Sequence, residues 1–473
     1  MIAHAFVLTA GLVAEATGGR LIAGDAGRVF DLVSTDSRTL AEILRRGESA
    51  GALFIALKGD RFDGHAFVDE AIARGAAGVL VSEPPATPGE AAVIRVDDTL
   101  AALQRLGQSI RRRSGATVVA ITGSAGKTTT KEATAALLAP KFRVYRNPGN
   151  LNNHIGLPLS LLDLRQGPDV AVVELGMNHH GEIRELAALA EPDVRVWTNV
   201  GNAHIGHFGT REEIARAKAE LLESATPATR VIANADDPLV MAHVRGCAGR
   251  VLTFGTSVTA DVRASRIEDR GFDGTSVEAT TPWGTLSFKL SLPGRANVYN
   301  VLAAAAVALD MGVSPHDVAS AAAGLAPVAR RGRIKRLASG ARVIDDSYNA
   351  SPAAVVAMLD TLRATPTTGR RIAVLGEMLE LGDAAEALHA ECGRAAAAAD
   401  LSVLVVVGGA AADGLVRGAR EAGMPADRIV RVAASADAAD RVQALITAGD
   451  VVLIKGSRGT RTDVIADRVT EVA

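Results

Sequence analysis

Cysteine is almost missing from this 473-residue chain: Cys247 and Cys392 are the only two, and they form no C-x-x-C pair. That argues against a disulfide scaffold and a thiolate metal cage, and it fits a reducing cytoplasm. No sign of charge dominates. Lys plus Arg number 51 against 53 Asp plus Glu, a net charge of -2, so no global field holds nucleic acid or an anionic membrane and any anion must be bound locally. Long hydrophobic runs are missing too. The apolar stretches at 301–309 and 401–407 stop at Asp310 and Gly408, too short for a span. The apolar N-terminus has no basic n-region, and Glu15 interrupts it before Gly18-Gly19. It reads as an amphipathic helix capped by Thr9 rather than a signal peptide. Gly408-Gly409 opens no G-x-G-x-x-G, which excludes a dinucleotide turn. There is no repeat of 20–50 residues and no biased tract beyond Ala-rich helices such as 395–399.

What is present is organised around residues 118–132, VVAITGSAGKTTTKE. A short β-branched run meets a glycine turn, Gly123-Ser124-Ala125-Gly126, and then a helix opening Lys127-Thr128-Thr129. Such a turn aims successive backbone N–H groups and the positive end of a helix at one point, where a nucleotide polyphosphate would sit. Lys127 would neutralise the outer phosphates and Thr128 would offer its hydroxyl to Mg²⁺. Ile121 stands where the longer P-loop has its first glycine, so the match is to G-x-x-G-K-T.

The length predicts about three domains of roughly 100–200 residues each. Residues 1–113 alternate short β-like runs (53–57, 78–81, 93–96) with Ala-rich helical patterns such as 67–74, a small α/β domain. Its polar clusters, Thr35-Asp36-Ser37-Arg38 and residues 57–65 with Lys58 and His65, are solvated turns or a pocket for a phosphorylated sugar ligand. The basic run Arg111-Arg112-Arg113 reads as a solvated linker. In 114–325, the runs 118–122, 170–175, 194–199 and 231–234 are apolar on both faces, which predicts a mostly parallel sheet covered by helices. Polar residues stand where each strand should end: Thr128, Glu174, Asn199 with His204, and Asn234 with Asp236-Asp237. Ligands of open α/β sheets bind at those ends. Residues 275–290 alternate in period two about Thr281-Pro282-Trp283-Gly284, predicting a hairpin beside the main sheet. Residues 326–473 form a third α/β unit with strands at 342–345, 372–375, 403–407 and 451–454. Glu174 suits a hard cation and His204 a second ion. Lys218 is the only lysine between Lys141 and Lys289, in a helical run at 212–223.

The strings TGSAGKTTTKE (122–132), NPGNLNNHIGLPL (147–159), ELGMNHHGEI (174–183), TNVGNAHIGHFG (198–209), ARAKAEL (215–221), NADD (234–237), DDSYNASP (345–352), VLGEMLELG (374–382) and KGSRGT (455–460) together resemble the Mur ligases, across all three predicted domains. The likeness is greatest to the member that adds D-alanyl-D-alanine to UDP-N-acetylmuramoyl-tripeptide in peptidoglycan synthesis. The resemblance implies three α/β domains: a UDP-sugar-binding domain (1–113), a central P-loop-type ATP-binding domain with a mostly parallel sheet (114–325) and a C-terminal Rossmann-like ligase domain (326–473). It implies that ATP phosphorylates the terminal carboxylate of the tripeptide and that the dipeptide amine captures the acyl phosphate.

The resemblance also assigns roles. Lys127, Glu174, His204 and Lys218 would be catalytic. Thr128, Glu174, His204 and a carbamylated Lys218 would hold Mg²⁺. Residues Gly123 to Thr129, with Asn234, Asp237, Asn297, Arg333 and Asp346, would contact ATP. Ser37, Arg38, Lys58, His65, Asn150 and Asn153 would contact the UDP-sugar peptide. The family often has a histidine before the asparagine held here by Asn297, whereas this chain has Ala296. A cytoplasmic monomer without nucleic-acid partner or membrane span is expected. The alternatives are a relative that adds a diamino acid or glutamate, or a P-loop switch without ligation.

Overall fold

Thr9 opens the first helix as its sequence suggests: its hydroxyl accepts the Leu12 N–H, and helix Ala10–Thr17 stops at left-handed Gly18. In the computed structural model, which describes residues 5–46, 51–59 and 62–470, the chain forms two compact units. The first comprises 1–120, 142–177 and 182–193, and the second 121–141, 178–181 and 194–473.

In the first unit a five-stranded sheet runs Arg20–Ala23, Ala92–Arg95, Gly78–Val81, Ala52–Ile55, Leu32–Ser34 in spatial order. Its first pair is antiparallel and the others parallel. Phe54, Val79 and Leu40 sit in its core. Helix Thr99–Ser114 is capped by the Asp98 carboxylate on the Leu100 and Ala101 N–H groups and ends at left-handed Gly115. The basic run is therefore the last turn of a helix and not a linker. Arg111 is buried. Its guanidinium donates to the carbonyls of Ala116, Ala190 and Glu191 and to Asp193 Oδ2. Charge alone could not reveal these acceptors, three of which come from about 80 residues downstream. Strands Val144–Arg146 and Val170–Glu174 pair in parallel.

In the second unit, Val194–Trp197, Arg230–Asn234, Arg250–Gly255 and Val262–Asp269 pair in parallel. The hairpin Thr275–Thr281 and Gly284–Leu290 closes across Thr281 and Gly284 as predicted. It does not lie beside the sheet but extends it, because its first strand pairs antiparallel with Val262–Asp269. Helix Arg295–Asp310 is buried without a break from Asn300 to Leu309, which explains the apolar stretch seen in the sequence. A six-stranded sheet follows in the order Arg333–Arg336, Arg342–Asp346, Val451–Lys455, Arg371–Gly376, Val403–Val407, Ile429–Val432, parallel except for its first pair. Apolar cores line it on both faces. Trp197 is buried, its ring centroid 5.9 Å from that of His243. Trp283, at the hairpin turn, is 41% exposed. Among the described residues no helix is long and apolar enough to cross a membrane.

Candidate active site

The glycine turn leads from strand Thr117–Thr122 into helix Lys127–Leu138. Gly123 and Gly126 both have positive φ, +153° and +83°, so L side chains are disfavoured there. Space forbids them as well: a Cβ at Gly126 would stand 2.1 Å from Asn300 Oδ1, and one at Gly123 would stand 1.9 Å from Thr198 Oγ1. The turn is clamped by the end of the neighbouring strand. Asn199 Oδ1 accepts the Ala125 N–H (2.9 Å), while Asn199 Nδ2 and Thr198 Oγ1 donate to the Ala125 carbonyl (3.0 and 2.8 Å). Lys127 Nζ donates to the Gly123 carbonyl at 2.8 Å. No side chain caps the helix at Gly126, and the dipole of a helix favours an anion at such an end.

Lys218 lies on helix Arg211–Ala219, which Thr210 caps through the Glu213 N–H. A lone helical lysine would ordinarily be solvated, yet this one is only 1% exposed. No acidic group neutralises it among the described residues. Burial, and then the nearby Lys127 charge, push its ammonium well below the ordinary lysine range. Two residues on, the buried Glu220 carboxylate accepts the Gly181 N–H at 2.7 Å.

His204 has φ +65° and precedes the short helix Ile205–Phe208. Its Nδ1 is shut off from solvent and lies 2.7 Å from Glu380 Oε2, a charge contact rather than an aligned hydrogen bond. The adjacent His204 imidazole holds the Glu380 carboxyl below its usual range.

Most of the remaining expected nucleotide residues are occupied with structural bonds. Asn234 Nδ2 donates to the Thr198 carbonyl at 2.8 Å, and Asp237 accepts the Val200 N–H at 2.7 Å while capping helix Pro238–Val244. Asn297 Nδ2 donates to the Pro293 carbonyl, and Asn300 Nδ2 donates to Asn297 Oδ1. Asn300 Oδ1 accepts from Thr130 Oγ1, so the second asparagine of this pair braces the glycine turn. A small cavity beside it is lined by Thr129, Asn297, Leu325, Pro327 and Arg331. Neighbouring Asp236 gathers Tyr299, Thr256 and Ser257. Burial alone would raise its pKa, but these hydrogen bonds hold it low. Arg333 is exposed at the start of its strand. Asp346 is paired with buried Lys455 at 2.5 Å, so the lysine of KGSRGT sets the position of the expected nucleotide carboxylate.

In the first unit Glu174 is buried, and its Oε1 accepts from Asn152 Nδ2 at 2.8 Å. Asn153 Oδ1 accepts the Ile155 and Gly156 N–H groups where helix Gly156–Leu162 starts, and Asn150 is exposed. Ser37 begins helix Ser37–Arg45, and Arg38 reaches out to Asp36. Lys58 is exposed, 3.6 Å from Asp63. Both ring nitrogens of His65 are engaged, Nδ1 with Asp63 (2.6 Å) and Nε2 with the Ser82 N–H (3.0 Å), which makes it an internal tie. Asp60 and Arg61 of the same polar cluster lie outside the described residues.

Among the described residues no three His, Cys, Asp or Glu side chains converge as a metal cage. A magnesium ion needs none, since it keeps several waters and binds through one or two side chains plus phosphate oxygens. A threonine hydroxyl, the group Thr128 carries, and a carboxylate, the group Glu174 carries, are among the donor types it takes.

Three family descriptions match the chain: "Mur ligase family, catalytic domain" over 34–124, "Mur ligase middle domain" over 121–308, and "Mur ligase, glutamate ligase domain" over 330–458. UDP-N-acetylmuramoyl-tripeptide--D-alanyl-D-alanine ligase of Bacillus subtilis is 36% identical over 93% of both chains, and that of Mycobacterium tuberculosis is 37% identical over 97% of both. Crystalline MurF from Acinetobacter baumannii superposes with a TM-score of 0.87 at 31% identity, covering 99% of each chain. MurF from Thermotoga maritima in complex with ADP gives 0.79 at 29% identity, over 93% of this chain and 97% of that one. Folylpolyglutamate synthase of Mycobacterium tuberculosis, at 19% identity and a TM-score of 0.63, shares the fold alone.

Proposed function

This chain belongs to the Mur ligase family, and from that premise we propose that it is the ATP-dependent ligase joining D-alanyl-D-alanine to UDP-N-acetylmuramoyl-tripeptide. The near full-length similarity to ligases of that name supports the reading. The observation that carries it in the structure is Lys218, a buried lysine without an acidic partner beside a phosphate-binding turn. A P-loop switch has no use for such an amine. A ligase that must hold two anions together does.

The chemistry follows from the charges. A carboxylate resists attack until one oxygen can leave as phosphate, and phosphoryl transfer between anions requires dense positive charge. Lys127 and the first-turn N–H groups supply it at the β- and γ-phosphates. The tripeptide carboxylate attacks the γ-phosphorus, ADP leaves, and the dipeptide amine then displaces phosphate from the acyl carbon, losing a proton. When bound, Mg²⁺ would supply positive charge against that developing on the phosphates. Thr128, Glu174 and His204 are the side chains we assign to hold it. An amine kept neutral by burial attacks CO₂ and sheds a proton to become a carbamate, which would give Lys218 an anionic group able to help hold the metal. Asn297, with Thr129 and Arg331, would border the base, and Asp346 and Arg333 the ribose or phosphates. Ser37, Arg38, Lys58, Asn150 and Asn153 would serve the UDP-sugar peptide.

The domain roles 1–113 for UDP-sugar, 114–325 for ATP and 326–473 for ligation are supported by the three successive family matches. The reaction is placed in the cytoplasm, where ATP and nucleotide sugars are made. The test is ADP and phosphate release by purified protein with both substrates. Release that needs the tripeptide and a D,D-dipeptide together sustains the proposal. Acceleration by glutamate or a diamino acid instead, or slow hydrolysis indifferent to amines, ends it.

A further inference from the structure

The string VLGEMLELG has no role in the chemistry above, yet it places Glu380 against His204. Residues 377–382 leave strand Arg371–Gly376 and are fixed from their own side. The Glu377 carbonyl accepts from Thr460 Oγ1 (2.9 Å), the Met378 N–H donates to His389 Nε2 (2.9 Å), and the Leu379 N–H donates to Ser457 Oγ (3.0 Å). The far side of the loop meets the turn that begins at His204. The Glu380 carbonyl accepts the Gly206 N–H at 3.0 Å. Gly206 and Gly382 touch so closely that a Cβ on Gly206 would stand 2.6 Å from Gly382 N, and one on Gly382 2.8 Å from Gly206 Cα. The contact therefore has a single register.

His204 and Glu380 both hold φ +65°, a conformation that favours glycine and is uncommon for residues that carry a side chain. A neutral imidazole has one donor and one acceptor nitrogen, and the group facing one of them decides which is which. Here Nδ1 is closed to water and lies 2.7 Å from a carboxylate oxygen, a charge contact out of hydrogen-bond alignment in which a lone pair on Nδ1 would be repelled and a proton attracted. The imidazole as a whole is 22% exposed, and that exposure falls on the rest of the ring.

We propose that Glu380 is a positioning residue that keeps the His204 proton on Nδ1, so that the Nε2 lone pair is always presented to the reacting phosphates' counter-ion or to a donor on substrate. The docking of residues 377–382 then makes His204 competent, and Glu380 itself touches no substrate. This role rests on the ligase reading for its consequence, but its physical content is a tautomer that can be read without substrate.

The test uses the full-length protein labelled with ¹⁵N. With ten histidines in the chain, long-range proton–nitrogen spectra are sparse enough for His204 to be assigned by its disappearance in His204→Asn. Wild-type His204 should carry its proton on Nδ1. Glu380→Gln, whose amide oxygen still accepts, should keep that pattern and most of the activity. Glu380→Leu should shift the proton to Nε2 and lower kcat by roughly 10–100-fold, as loss of a ligand-orienting carboxylate generally does, with KM for ATP unchanged. Should Glu380→Leu fail to fold, Glu380→Gly removes the carboxylate while relieving the left-handed backbone. A proton on Nε2 in the wild type, or one that stays on Nδ1 in the carboxylate-free variants, overturns the proposal. An inactive wild type with the expected tautomer overturns the ligase reading instead.

Discussion

At the scale of single residues, burial together with the lack of an acidic partner sets Lys218 apart from a solvated helical lysine. Read from its own neighbours, Lys218 is an isolated lysine on a helix, and only the family resemblance gave it a role, because nothing local announces that a side chain will be enclosed. The structure supplies that fact and with it a prediction. Lys218→Met keeps the length and removes an amine whose charge is disfavoured by burial; replacing a buried charge with an apolar isostere is generally neutral or stabilising. The urea midpoint should hold or rise while dipeptide-dependent ADP release disappears. A variant that keeps turnover would remove Lys218 from the chemistry. His389 gives a second test. Buried, it donates from Nδ1 to the Ala385 carbonyl and accepts the Met378 N–H on Nε2, and burial lowers its pKa. The unfolded chain therefore binds a proton first. Stability attributable to His389 is complete above the unfolded value of about 6.5 and is lost as pH falls from there toward the lower folded value. Urea titrations at neutral and mildly acidic pH should show a smaller loss of stability for His389→Gln than for the wild type.

At the scale of elements, the strands buried on both faces were legible, since a run such as Val403–Val407 or Val170–Glu174 has no polar alternation to confuse it. Strands that were missed, among them Arg20–Ala23 and Ile429–Val432, are half-exposed and short, so their composition resembles that of turns. The glycine turn was legible for a different reason: only glycine satisfies its backbone. What the sequence withheld was the clamp on it, because Thr198, Asn199 and Asn300 arrive from strand and helix positions 70 to 170 residues away. Gly126→Ala tests the clamp. The new Cβ meets Asn300 Oδ1 at a φ that alanine avoids, so nucleotide affinity should fall by at least about tenfold, the equivalent of ~1.4 kcal/mol, measured by calorimetric titration with ADP. Wild-type affinity in this variant would mean that the turn does not hold phosphate.

At the scale of the whole molecule, ligand binding and stability are linked. ADP at a hundred times its Kd should stabilise the native chain by about 2.7 kcal/mol, seen as a higher urea midpoint, and Gly126→Ala at the same ADP concentration should show much less of this gain. The family resemblance was readable from strings scattered over the chain, whereas the division into two compact units was not. The latter depends on which segments touch, and the cut falls inside one strand, between Ala120 and Ile121, where no composition change marks it.

Two tryptophans placed so unequally give the molecule its own optical probes. Trp283 sits half in water at a hairpin tip and should emit as a red, invariant background. Trp197 is sealed in the interior, one peptide bond before Thr198 and two before Asn199, the residues that grip the turn. Its bluer fluorescence is thus wired by the backbone to the phosphate-binding loop, and occupancy can be followed in real time without attaching a dye.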